Sequence, residues 1–131
     1  MKQKININAM NQIPKGDNIF TEGEPLNSIA MIIKGRVQVY HDGAKFMMGS
    51  GYFLAVSDIT TGKYQSTYTA LEDSVIYVFG VERKEDLERV LSVNKDYSGY
   101  LVASMNRIIY ELGETYKGIL KYGYSLYNSL T

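Results

Sequence analysis

The stretch "IPKGDNIFTEGEPLNSIAMIIKGRVQVY", Ile13 to Tyr40, decides the fold. Ile29 to Ile33 is an unbroken apolar run of strand length. After Gly35, Val37 and Val39 alternate with Arg36, Gln38 and Tyr40, the period of a half-buried strand. Gly16, Gly23 and Gly35 punctuate the runs where tight corners need positive φ or close backbone approach.

The same grammar continues outward. His41-Asp42-Gly43 supplies a hairpin turn, because Asp-Gly accepts positive φ, and "KFMM" begins the return strand. "STYTA" and "SVIYVF" read as two more strands, with Glu72-Asp73 turning between them. Several short strands at close spacing predict an all-β barrel or roll.

From Val81 the pattern changes. "ERKEDLERVL" is charged and helix-prone, with Leu87, Val90 and Leu91 on one face. "VNKD" breaks it, and a longer helical pattern follows from about Tyr97 to Leu130. Leu101, Met105, Ile108, Leu112, Thr115, Ile119, Tyr122 and Leu126 recur at spacings of four and three, the seam of a helix that pairs with another. Gly113, Gly118 and Gly123 each cost about 1 kcal/mol relative to Ala, so this helix needs a partner surface. Two surfaces qualify: the matching helix of a second copy, through Leu101, Met105, Ile108, Leu112 and Ile119, or the chain's own roll. The expected division is a β-roll with a flanking helix over 1–96 and a long helix over 97–131 for dimerisation and transmission.

Composition narrows the function. Fourteen basic and fourteen acidic residues cancel in 131, which leaves no basic patch for nucleic acid or an anionic membrane. The absence of cysteine excludes disulfides, thiolate metal sites and cysteine nucleophiles. The start has no signal-peptide core, no apolar run reaches membrane-spanning length, and a cytoplasmic protein is expected. His41 is the only histidine, too few for a cupin-like metal set, and its place in the Asp-Gly turn predicts a solvent-exposed residue. No nucleophile elbow or phosphate-binding glycine loop is present, so a non-enzymatic protein is expected.

These elements in this order resemble the cyclic-nucleotide-binding domain, the sensory domain of catabolite activator protein-like regulators. Gly16, Phe20, Glu22-Gly23-Glu24, Ile29 to Ile33, Gly35 and the valines carry the likeness, joined by Gly51, Phe53, Ala70, Asp73 and "VIYVF". The resemblance implies a mainly β fold with α flanks: a double-stranded β-helix (jelly-roll-like β-roll) followed by C-terminal helices. It implies a ligand cassette after Gly51. There a short helix N-terminus and an arginine hold a cyclic phosphate, and an acidic residue takes the ribose hydroxyl.

The charged positions depart from that pattern. Leu54, Ala55 and Val56 stand where the acidic residue belongs, and Tyr64, six residues before Ala70, stands where the arginine belongs. No arginine lies between Arg36 and Arg83. The resemblance therefore implies a ligand-sensing regulatory domain of the Crp-Fnr type that does not hold cAMP in the usual way. The alternative is a ligand-free interaction scaffold acting through the C-terminal helix. No cofactor is indicated beyond a small anionic or nucleotide ligand.

The ligand-site candidates follow. Tyr52, Ala55 and Val56 line an altered, apolar pocket or pack beneath the cassette with Phe53 and Leu54. Ser57, Asp58, Thr60 and Thr61 cap a short helix or form an ordinary loop. Lys63 and Tyr64 replace the arginine as a cation and a hydroxyl donor or form an exposed tip, and Gln65 beside them is a further ligand-site candidate. Tyr100, Asn106, Arg107 and Tyr110 lie on the long helix, which covers the ligand in the family. The expected partner is a second copy, with a downstream protein or a DNA-binding domain outside these residues as the output.

Overall fold

In a computed structural model, residues 5–112 and Asn128 are described. Eight strands form two four-stranded antiparallel sheets that face each other. The strands are β1 (Ala9–Ile13), β2 (Asn18–Phe20), β3 (Ser28–Lys34), β4 (Val37–His41), β5 (Ala44–Met48), β6 (Phe53–Leu54), β7 (Thr67–Ala70) and β8 (Ser74–Gly80). One sheet runs β1-β8-β3-β6 and the other β2-β7-β4-β5. Consecutive strands therefore alternate between sheets in places, as a roll requires.

The hairpin of β4 and β5 closes where the Asp-Gly dipeptide predicts. Asp42 and Gly43 have φ of 48° and 84°, and Val37 pairs with Met48 while His41 pairs with Ala44. That register turns Val37, Val39, Phe46 and Met48 inward, and period-two alternation buries them between the sheets. Gly35 has φ +111°, and a Cβ there would fall 2.2 Å from Ser74 Oγ and 2.9 Å from its Cα. A side chain would drive β3 and β8 apart at that corner.

Two helices follow, α1 (Lys84–Val93) and α2 (Tyr97–Leu112). At the start of α1 the Asp86 carboxylate accepts the N–H groups of Glu82 at 3.0 Å and Arg83 at 3.2 Å. These bonds hold the Asp86 carboxyl below its usual range. Leu87 and Leu91 bury the inner face of α1.

The stripe on α2 faces the chain's own roll. Leu101, Met105 and Ile108 are 0%, 1% and 4% exposed within the single chain. This revises the expectation that these three side chains meet a partner helix: α2 packs on β5, β6 and the turn that follows β6. Ile119 and the remainder of the expected long helix lie outside the described residues, as does the side chain of Leu112. Among the described residues no helix is long and apolar enough to cross a membrane.

Candidate functional site

The cassette begins at Gly51, whose φ is +90° and whose Cα faces the Tyr100 ring. β6 then carries Phe53 and Leu54 into the core. Ala55 follows with φ 71°, a left-handed conformation that costs an alanine about 1 kcal/mol. It launches a short 3-10 helix, Val56–Thr60. No side chain caps this helix, which revises the capping role expected of Ser57, Asp58, Thr60 and Thr61. The hydroxyls of Thr60 and Thr61 instead donate to the carbonyls of Ser57 and Asp58, each at 3.1 Å. The N–H groups of Thr61 and Gly62 donate to the Asp58 carbonyl.

Tyr64 is the residue, six before Ala70, at which the resemblance implies an arginine. It is 3% exposed, and its ring stacks on Phe20 with centroids 4.5 Å apart. The phenol donates to the Ser28 carbonyl at 2.7 Å and accepts the Ser28 N–H at 3.3 Å. Its backbone is held as firmly: Tyr64 N–H donates to Glu24 at 3.0 Å, and Gly23 N–H donates to the Tyr64 carbonyl at 2.8 Å. Burial pushes the phenol up from its ordinary range. Lys63, by contrast, is exposed. Consecutive residues of an extended segment point to opposite sides, so Lys63 and Tyr64 do not form the expected cation-plus-hydroxyl pair.

Asp58 lies deeper still, 1% exposed. Tyr68 donates its hydroxyl to Asp58 Oδ2 at 2.8 Å, and Ser57 donates to Oδ1 at 3.4 Å. Gln65 adds a backbone bond. Its carbonyl meets Nδ1 of His41, so His41 is a half-buried, bonded residue rather than the solvated turn residue expected. The Gln65 side chain turns outward to Thr61 at 2.9 Å.

The candidates on α2 form a separate group. Arg107 donates to the Met47 carbonyl at 2.8 Å and pairs with Glu111 at 3.0 Å. Its guanidinium lies 5.7 Å from the Phe46 ring and 5.9 Å from the Tyr52 ring. Tyr100 is half exposed, and Asn106 and Tyr110 are exposed. Tyr52 and Arg107 thus meet beside β5, whereas Val56, Ser57, Asp58 and Tyr64 are buried.

Sequence reasoning missed Ser104. The Phe53 N–H donates to Ser104 Oγ at 2.8 Å, and that hydroxyl donates on to the Tyr100 carbonyl at 2.7 Å. Its place beside Met105, three residues after Leu101, put it on the buried stripe. Tyr68 was also legible, alternating inward with Ala70 in "STYTA". Among the described residues no cluster of His, Cys, Asp and Glu suits a metal ion.

A family model, described as the cyclic nucleotide-binding domain, matches residues 10–93. The chain belongs to the cyclic nucleotide-binding domain family. Solved structures share its fold. The catabolite activator protein of Thermus thermophilus superposes with a TM-score of 0.59 at 18% identity, covering 79% of this chain and 50% of that one. This chain thus spans half the length of that protein. The sensor domain of the transcriptional regulator DNR from Pseudomonas aeruginosa gives 0.55 at 21% identity, covering 79% and 73%. The EAL enzyme Bd1971, in its cAMP- and cyclic-di-GMP-bound form, gives 0.52 at 28% identity, covering 63% of this chain and 23% of that one. No curated protein matches the chain.

Proposed function

We propose that this is a non-enzymatic, cytoplasmic sensory or regulatory domain that does not hold cAMP or cGMP in the family's way. The observation that carries the reading is Tyr64. A neutral phenol occupies the arginine position, stacked on Phe20 and bonded to Ser28. Lysine can neutralise a phosphate, but Lys63 is exposed and lacks the planar fork that reads two oxygens. The Asp58 carboxyl inside the cassette, when ionised, would also repel a phosphate. Output through α2 follows from its packing on β6 and on the cassette turn, which lets a change in the cassette bias the helix. The receiver is a downstream protein or DNA-binding domain, or a second copy engaged through residues beyond the inward-facing stripe.

A thermal-shift titration with cAMP, cGMP and other anionic nucleotides tests this. A ligand at about a hundred times its dissociation constant adds roughly 2.7 kcal/mol of stability. The expected result with cAMP and cGMP is no saturable shift. A saturable shift with either would mean that the cassette opens to admit the phosphate, and the reading would fall.

A further inference from the structure

Asp58 is a buried carboxyl with only neutral partners directly bonded to it. Its donors are the Tyr68 hydroxyl at 2.8 Å, the Ser57 hydroxyl at 3.4 Å and the Gln65 backbone. A carboxylate taken out of water without a paired cation is costly, and neutral donors offset only part of that cost.

Tyr68 comes from β7, and Tyr64 with the exposed Lys63 from the segment before it. β4 contributes His41, which bonds the Gln65 carbonyl rather than the carboxyl. On α2, Arg107 and Glu111 bond each other, and Arg107 also binds Met47. β2 contributes the Phe20 ring, edge-on to Tyr68. Among the described residues none makes an ion pair with Asp58. Burial pushes the carboxyl up to about 7, while the bonds from Tyr68, Gln65 and Ser57 and the charge of His41 pull it down.

The two forms of the carboxyl need different partners. As a carboxylate it accepts all three bonds. As an acid it must donate one, and the Tyr68 hydroxyl can reverse to accept it. The 3-10 helix carrying Asp58 packs directly on α2. We propose that the cassette is a proton-responsive switch, in which Asp58 gains or loses a proton and thereby sets how closely its turn packs on α2. The acid form keeps the turn dry and docked. The carboxylate draws the turn toward water and loosens its contact with the helix. The proposal rests on the reading that no cyclic nucleotide occupies this cassette.

NMR of the methyl groups of Ile59 on the turn and of Leu101 and Met105 on α2, between pH 5.5 and 8.5, tests it. In the wild-type domain these signals are expected to move together with one midpoint near neutrality. The movement disappears in Asp58→Asn. In Tyr68→Phe the midpoint rises, because the lost bond favoured the charged form. In His41→Gln the movement persists, which separates Asp58 from the histidine. Flat signals in the wild type, a titration retained in Asp58→Asn, or one lost in His41→Gln would each overturn the switch. If Asp58→Asn does not fold, Tyr68→Phe decides alone: an unmoved midpoint sinks the proposal. Saturable cyclic-nucleotide binding would instead remove the reading beneath it, so the two failures remain distinct.

Discussion

Position 64, where the resemblance implies an arginine, holds a buried tyrosine. An arginine there would be a buried cation in need of an anion, and a phosphate supplies one. A tyrosine needs only a carbonyl, which Ser28 provides from the start of β3. The phenol is thereby satisfied by the chain's own backbone. Tyr64→Phe keeps the ring on Phe20 and removes the hydroxyl's bonds to Ser28 and Asn27. A buried carbonyl and N–H lose a partner, so the loss should be about 1–3 kcal/mol. It would be read as a lower urea midpoint with an unchanged slope; an unchanged midpoint would mean that the phenol bonds carry no stability. The absence of any arginine between Arg36 and Arg83 was plain in the sequence. The burial of Asp58 was not, because acidic residues are almost never fully buried and a turn rich in Ser, Asp and Thr reads as solvated.

At the scale of the element, α2 shows what periodicity can and cannot say. Leu101, Met105 and Ile108 recur at four and three, a spacing that suits a coiled-coil seam and also a helix laid on a sheet. The pattern establishes a buried face; the identity of the burying surface is tertiary information. Ser104, within that face, adds a directional tie that an apolar stripe lacks. Its hydroxyl takes the Phe53 N–H of β6 and passes a proton bond to the Tyr100 carbonyl. Ser104→Ala leaves the Phe53 N–H buried and unpaired, at a cost of about 1–3 kcal/mol. Hydrogen exchange should then quicken at Phe53 and along the first turns of α2, while the β4–β5 hairpin keeps its protection. Equal loosening everywhere would show that the hydroxyl contributes to global stability and not to helix docking.

For the whole molecule, the two-sheet roll was legible because alternation and turn chemistry agree at each corner, as at Val37, Val39 and Asp42-Gly43. The pairing of distant strands, such as β1 with β8, was not, because nothing local encodes a partner some sixty residues away. That same closure creates a dry interior, and the interior imposes a pH dependence on folding. Asp58 has a folded pKa near 7, raised by burial from 3.8. Between these values the folded state holds a proton that the unfolded chain releases. Stability from this group is therefore fully present below about pH 4 and is lost as pH rises through 7, by roughly 4 kcal/mol at most. Asp86 acts in the opposite sense: its lowered carboxyl favours folding above its ordinary range and loses that effect in acid, but it lies at the surface and is screened. Tyr64, raised from 10.0, matters only in strong alkali, where its ionisation opposes folding. Between pH 5 and 8 Asp58 should dominate. The urea midpoint of the wild-type domain should fall across that range, and that of Asp58→Asn, which cannot ionise, should stay nearly level. A wild-type midpoint that rises from pH 5 to 8 would mean that Asp58 is ionised and well solvated in the folded domain, with the cassette open to water.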